Sequence, residues 1–332
     1  MTAASFDPFG PALSPFVLAT LAGAIWLYLR GATRPRLMRE RVGVVRHTLV
    51  AAGAALLVFA FNGPLATAGH GLFFAHQVQH LLIRLLGPML IILAYPWPVL
   101  RAGLPHGLRR GLRRFGHRPA VRWVVRVLTR LDVSFALLVA SLYLWQAPAL
   151  HNAALAAPPL ALVAHMGMAL AGLLFFAVVL DRRDAPEGAT QSLRLLALLG
   201  VILSNILLGS LTTLKEAVLY SGYDMAGRLW GFAPLTDEMA GGFTIWVPSS
   251  MVILAAIMLV FNGWNAAEVR RWNDRHNWTG SNAAMLEFPE TAYELRLKVA
   301  DPNRRMGWTL ALISAAMFAT VMITVSTIVY AL

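Results

Sequence analysis

The sequence predicts an all-α polytopic integral membrane protein, a bundle of about eight transmembrane helices. Three observations support this fold class: 58% of the 332 residues are hydrophobic, only 13% are charged, and the mean hydropathy is +0.62. An average soluble domain has roughly 25% charged residues, so an ordinary water-soluble enzyme is excluded. Intrinsic disorder is also excluded, because disordered chains are poor in apolar residues.

Eight apolar runs are long enough to span a bilayer, which takes about 20 residues at a rise of 1.5 Å each. The first run has no basic residue before Arg30 and no small-residue cleavage site, so we expect a retained anchor and not a signal peptide. Pro88, Pro96 and Pro98 interrupt the third run and predict a kink or an irregular end there. The eight runs cover residues 14–30, 48–69, 76–100, 132–150, 158–180, 195–214, 241–263 and 307–331.

The basic residues predict the orientation of these spans. Of the 28 Lys and Arg, 25 fall in alternate connections, two fall in the others, and Arg84 lies within a span. By the positive-inside rule both termini are then extracytoplasmic, in a multi-pass protein of the cell inner (cytoplasmic) membrane. The net charge of +12 is therefore interpreted as an orientation signal, and no nucleic-acid partner is expected.

Two connections are long enough to have roles of their own. Residues 101–131 carry nine arginines and no acid; an orientation signal is the favoured interpretation, and a binding site for an acidic partner or anionic membrane lipid is the alternative. Residues 264–305 form the longest polar stretch and predict a cytoplasmic loop with a short surface helix. The sequence shows no internal repeat, so we predict a single transmembrane domain, 1–332.

Histidines cluster at the predicted extracytoplasmic ends of spans three to five. His76 and His80 are four residues apart, so on a helix their imidazoles share one face, about 5–6 Å apart at Cβ, and can reach one metal ion. His165 and His151 are the next candidate ligands, with hydrogen bonding to protein or water as the competing interpretation. Cysteine is absent, so a metal would need nitrogen, oxygen or thioether ligands.

Four further polar residues are predicted to surround this site. Asp237 and Glu238 precede span seven at the same end and are expected to orient imidazoles. For one of the two acids, ordinary hydration by solvent is the competing interpretation. Gln79, between the two histidines in sequence, is also predicted to surround the ligands without binding the metal itself. Arg84 is predicted to form an ion pair with Asp237 or Glu238, which is favoured, or to bind a haem propionate.

At these residues the chain resembles the CtaG family of polytopic cytochrome c oxidase assembly factors. The string His76-Gln77-Val78-Gln79-His80-Leu81-Leu82, with Gly87-Pro88 and Tyr95-Pro96-Trp97-Pro98 after it, is similar to the family's H-x-x-Q-H-L-L and proline pattern. Trp145-Gln146-Ala147-Pro148 with Ala153-Ala154-Leu155 resembles its W-H-x-P and A-A-L stretch. Asp237-Glu238-Met239-Ala240-Gly241-Gly242 with Ile245-Trp246 resembles its D-Q-x-x-G-G…W segment. The resemblance covers about residues 70–250.

The resemblance implies a role in supplying copper to a haem-copper oxidase from the extracytoplasmic side. The implied partners are the oxidase subunits and an extracytoplasmic copper donor. Three positions depart from the family pattern: Gln146 replaces a frequent His, Ala161 replaces the first His of a second H-x-x-x-H pair, and Glu238 replaces Gln. His151 is a possible substitute for the missing ligand.

Three functions remain open at this stage. The first is a copper-binding assembly factor whose ion is Cu(I). Met166, Met168, Met225 and Met239 add thioethers near the imidazoles, although packing in the membrane core is the favoured interpretation for most of them. The second is a membrane cytochrome that binds haem b. The third is a structural oxidase-associated subunit without a metal. No nucleophile or acid–base pair has suitable spacing, so no enzymatic activity is expected.

Overall fold

The regular structure of the described residues is entirely helical. The computed structural model describes residues 15–34, 43–181, 183, 188–224, 228–276 and 292–331. They divide between two compact units, Met1–Ile257 and Met258–Leu332. The all-α fold class predicted from the composition is confirmed.

The first unit opens with two apolar helices, α1 (Pro15–Ala32) and α2 (Val44–Asn62). A short helix α3 (Pro64–Gly71) follows directly, started by a proline whose missing N–H is no loss in the first helical turn. The second predicted run, 48–69, is therefore two helices, because Gly63 has an extended backbone that breaks the run.

The third predicted span is continuous but irregular. It consists of α4 (Phe73–Leu81), a π-helical turn (Leu82–Leu86) and α5 (Gly87–Leu93). The chain then breaks at Tyr95, whose φ of 51° lies in the left-handed region. The predicted irregular end before Pro96 is thus confirmed. Arg46 of α2 donates hydrogen bonds to the carbonyls of residues 94 and 95, which the helix leaves without partners.

The middle of the chain contains four short helices and three longer apolar ones. These helices are α6 (Trp97–Gly103), α7 (His106–Gly116), α8 (Pro119–Leu128), α9 (Leu131–Gln146), α10 (Pro148–Ala156), α11 (Pro158–Val179) and α12 (Gln191–Leu214).

Two longer helices complete the fold, α13 (Pro234–His276) and α14 (Ala292–Ala331). The predicted polar loop 264–305 is therefore helical at both ends, and its residues 277–291 lie outside the described residues. The eighth predicted span, 307–331, falls within α14, and its crossing of the membrane stays a prediction.

Six helical stretches of the described residues are long and apolar enough to cross a membrane. A seventh is counted if the bent pair α8 and α9 forms one span. These stretches correspond to the first seven predicted spans: Pro15–Ala32, Val44–Asn62, Phe73–Leu93, the pair Pro119–Leu128 and Leu131–Gln146, Pro158–Val179, Gln191–Leu214 and Pro234–Arg270.

The third span lies at the centre of the first unit. Within its window 72% of residues are buried, against 17% and 22% for the first two spans. Helix α11 packs against the π-helical turn and α5, and α2 packs against α5. Gly172 allows α11 to approach closely, because a Cβ there would lie 2.0 Å from the carbonyl oxygen of Arg84. The central span therefore brings polar residues into a packed protein interior.

Candidate metal centre

Three imidazoles from two helices meet at one end of the bundle. His76 and His80 project from the same face of α4 with ring centroids 4.4 Å apart. His165, from α11, has its ring centroid 5.6 Å from that of His76 and 5.3 Å from that of His80. One nitrogen from each of these residues, the histidine triad, lies within 4.8 Å of the others. Two donors sharing one ion at bonds near 2 Å are separated by at most about 4 Å, so small side-chain movements would close a metal site.

The histidine triad lines a small cavity. Its volume is about 10 Å³, which is roughly the space of one water-sized probe. The walls combine imidazoles with apolar groups, among them the fully buried side chain of Met168. The lining residues are His76, His80, Trp145, His151, Ala154, Ala161, Ala164, His165 and Met168.

The imidazole of His80 has a buried nitrogen without a partner. Its Nδ1 atom accepts and donates no hydrogen bond among the described residues, although the residue is only 3% exposed. Leaving a buried polar atom unpaired costs roughly 1–3 kcal/mol. With three ligand nitrogens near one another and a His80 imidazole that is not fully engaged in hydrogen bonds, the residues present fit a metal ion.

A tyrosine hydroxyl links two of the histidines. Tyr223 Oη lies 2.9 Å from His76 Nδ1 and 2.8 Å from His151 Nε2. His76 Nδ1 also lies 3.0 Å from the carbonyl oxygen of Gly69, and His151 Nδ1 lies 3.0 Å from that of Trp145.

These four contacts determine the tautomers of both rings. A carbonyl oxygen only accepts, so both Nδ1 atoms carry protons and donate. The Tyr223 hydroxyl then donates to His151 Nε2 and accepts from His76 Nδ1. His76 keeps its Nε2 lone pair for a metal ion, whereas both nitrogens of His151 are engaged in hydrogen bonds. Partners of this kind commonly orient a ligating imidazole.

Burial keeps both Tyr223 and His151 neutral. Burial lowers the pKa of His151 to about 4. Burial, with a further contribution from the Asp237 carboxylate, raises the pKa of Tyr223 well above its usual value. The hydroxyl therefore remains a donor and the imidazole remains an acceptor near neutral pH.

Asp237 holds the start of the helix that carries the histidine pair. Its two carboxylate oxygens accept hydrogen bonds from the backbone N–H groups of Phe73 and Phe74, at 2.8 and 2.9 Å. These are the first residues of α4, whose N-cap residue offers no side-chain hydrogen bond. An anion is also favourable at a helix N-terminus because of the helix dipole. Asp237 thus fixes the position of α4.

Glu238 holds the segment that carries Tyr223. It accepts hydrogen bonds from the backbone N–H groups of Leu219 and Tyr220, both at 3.0 Å, and forms an ion pair with Lys215. Arg228 joins both acids, at 2.5 Å to Asp237 and 3.1 Å to Glu238. The two acids are fully buried and their charges are paired.

The chain matches a protein-family model over most of its length. A family model described as cytochrome c oxidase caa3 assembly factor (Caa3_CtaG) matches residues 26–267 of the chain. The chain belongs to this family. No curated protein and no solved structure matches it. The family assignment confirms the resemblance found in the sequence, and the match includes the histidine triad, the Tyr223 network and the paired acids.

Two of the interactions predicted for this family member are corrected by the structure. Asp237 and Glu238 make no hydrogen bond to an imidazole among the described residues; they bind backbone N–H groups, Arg228 and Lys215. The favoured ion pair of Arg84 with either acid is also wrong. Asp237 contacts Phe73, and Arg84 lies eleven residues further along the span, about 16 Å at helical rise, so Arg228 and Lys215 take its place.

The other predicted site residues are placed as follows. Gln79 donates a hydrogen bond to the carbonyl of Ala60 at 2.8 Å, so it joins α4 to α2. Arg84 is 4% exposed within the π-helical turn. His151 lines the cavity but is not in the histidine triad. Among the methionines, Met168 lines the cavity, and Met225 lies outside the described residues.

Tyr223, Arg228 and Lys215 are the functional residues that sequence reasoning missed. All three lie in the irregular segment between α12 and α13, where no periodicity assigns a side chain to a face. One signal was present: Lys215 and Arg228 are the two basic residues in the connections that the charge pattern predicts to be extracytoplasmic. Two cations beside four acids in one connection indicate local ion pairing.

Proposed function

We propose that this chain assists the assembly of a haem-copper cytochrome c oxidase by binding one copper ion and supporting its insertion. The ligands are His76, His80 and His165, at the extracytoplasmic end of a protein of the inner membrane. The observation that carries the proposal is the approach of three ligand nitrogens to within 4.8 Å of one another, in a chain that belongs to an oxidase assembly family.

The charge of the site favours Cu(I) over a divalent ion. The three imidazoles are neutral ligands, and the nearby acids are already paired with Arg228 and Lys215. Burying a charge without a compensating anion is costly, and the cost rises with the charge of the ion. Met168 adds a soft thioether to the cavity wall, and imidazole with thioether suits Cu(I).

Two rival functions fit the geometry less well. A haem b group needs far more room than a cavity of about 10 Å³, and its two axial ligands approach from opposite sides, whereas His76 and His80 lie on one helix face. A structural subunit without a metal would leave three imidazoles clustered around one point, with a buried nitrogen of His80 that has no partner among the described residues.

The proposed copper is cargo, so no chemical conversion is assigned to the chain and we do not propose an enzyme. The ion would arrive from an extracytoplasmic donor and pass to an oxidase subunit. Its three ligands come from two helices. Transfer of copper to or from another protein requires that a ligand of that protein reach the cavity between these helices. The family assignment supports an oxidase subunit as the recipient.

Metal analysis of the purified chain tests the proposal. We expect about one copper per chain and no Soret band. His165→Ala should lose most of the copper, and the double variant His76→Ala/His80→Ala should lose all of it. His117→Ala serves as the matched control, because His117 is an exposed histidine in the basic connection between α7 and α8, outside the histidine triad. Wild-type copper content in the double variant, or a stoichiometric Soret band, would overturn the assignment.

Cells provide the second test. At limiting copper, a strain with the double variant should make the oxidase polypeptides but lack oxidase activity. The His117→Ala strain should retain that activity. Full activity with the double variant would remove the assembly role even if the purified chain binds copper.

A further inference from the structure

Two consecutive helices after the central span are largely exposed. Helices α7 (His106–Gly116) and α8 (Pro119–Leu128) are joined by a two-residue connection and make few contacts with each other, and α8 makes few with α9. Neither helix has a buried residue. We call this pair the α7–α8 hairpin.

The hairpin exposes apolar and basic faces side by side. On α7, Leu108, Leu112 and Phe115 follow helical spacing and are each at least half exposed. On α8, Trp123 and Val125 are more than half exposed, and Val124 and Leu128 are more than one third exposed. An amphipathic helix with a basic polar face lies in the membrane interface and places its apolar face at the acyl boundary.

The arginines are arranged around a pocket. An open pocket of about 840 Å³ is lined by Arg101, Arg109, Arg110 and Arg113 together with Leu104 and Leu112. No acid lies in residues 101–131, so these charges have no counter-ion in their own segment. Arginine binds phosphate oxygens through paired N–H donors, and the two leucines offer an apolar wall beside the charges.

We propose that the α7–α8 hairpin lies on the predicted cytoplasmic surface of the membrane and that its arginine-lined pocket binds the phosphate of an anionic phospholipid. Charge complementarity selects an anion, and the exposed apolar residues select a ligand with acyl chains. An acidic protein would pair with the arginines but would leave the apolar face in water. The site is independent of the copper proposal, because it lies in a different connection and uses none of its residues.

The test compares two double variants of equal charge. Arg109→Gln/Arg113→Gln removes an i,i+4 pair that lines the pocket, and Arg122→Gln/Arg126→Gln removes an i,i+4 pair of α8 outside it. The full chain is purified in neutral detergent, stripped of lipid and titrated with phosphatidylglycerol or with phosphatidylcholine of the same acyl chains. Native mass spectrometry counts the bound lipid.

We expect saturable binding of phosphatidylglycerol and no comparable binding of phosphatidylcholine. The pocket variant should lose affinity on the order of 30-fold or more, because it removes two charge-assisted contacts to the phosphate. The α8 variant, whose arginines do not line the pocket, should stay within about twofold of wild type. Glycerol phosphate at the same concentration should not displace the lipid.

Several results would overturn the proposal. Equal losses in the two variants would show a diffuse charge effect, and no loss in either would show that the arginines do not bind the lipid. Displacement by glycerol phosphate would assign a free phosphate site. Displacement by polyglutamate, with no preference between the two lipids, would assign an acidic protein as the partner.

Discussion

Gly172 determines how closely the helix with His165 approaches the helix with His76 and His80. It lies on α11, two turns after His165, and faces the π-helical turn of the central span. Replacing it with alanine would place a Cβ 2.0 Å from the carbonyl oxygen of Arg84 and 2.9 Å from its carbonyl carbon. These are backbone atoms, so no side-chain rotation relieves the contact.

The size of the effect follows from these distances. Ordinary van der Waals contact begins near 3.4 Å, so α11 must move away by more than an ångström. Metal–ligand bonds near 2 Å tolerate deviations of only about 0.2 Å. We therefore expect Gly172→Ala to weaken copper binding on the order of 10–100-fold, the range seen when the support of a ligand is lost. The overpacking also costs about 1–3 kcal/mol of stability.

Competition with a chromogenic Cu(I) chelator measures this affinity in the purified chain. Gly167→Ala is the matched control, because it lies on the same helix and its added Cβ meets nothing within 4 Å. The control should bind copper as wild type does and should be slightly more stable, by about 0.5–1 kcal/mol. Wild-type copper affinity in a folded Gly172→Ala variant, or an equal loss in the control, would show that the close approach at Gly172 does not determine copper binding.

Three further changes probe the groups around the site. Tyr223→Phe removes the hydroxyl between His76 and His151 and should weaken Cu(I) binding on the order of 10–100-fold; unchanged affinity in the chelator competition would show that this hydroxyl does not support the ligand. Ala161→His places a fourth imidazole on the cavity wall, one turn before His165, and should tighten Cu(I) binding in the same assay; weaker or equal binding would count against a site at this cavity. Asp237→Asn should lower stability by about 2 kcal/mol, since a charged partner of two backbone N–H groups and an arginine is lost; a thermal unfolding midpoint equal to that of wild type would contradict the helix-holding role.

The parts of the fold that depend on local pattern were predictable from the sequence. Apolar runs locate six helical stretches that could cross a membrane, and a seventh if α8 and α9 form one span, because each must cover a bilayer with uncharged residues. The i,i+4 spacing of His76 and His80 predicts a shared helix face, and the structure confirms that these rings lie together with His165. The proline pattern predicts the irregular chain near Tyr95.

The parts that depend on lateral neighbours were not predictable. Arg84 was assigned to Asp237 and Glu238 because buried charges need partners, but the rule does not say which partner is nearest. Arg228 is nearest because the irregular segment folds back over the start of α4. His151 was considered a ligand, and its distance along the chain from Tyr223 hid the hydrogen bond that occupies its Nε2.

We propose that one buried group of imidazoles binds Cu(I). X-ray absorption at the copper edge of the purified, copper-loaded chain probes this set of ligands. We expect the edge of Cu(I) and a shell of imidazole nitrogens near 2 Å, lost in His76→Ala/His80→Ala and unchanged in number in His151→Asn. An oxygen shell, or a nitrogen shell that survives the double substitution, would contradict the claim.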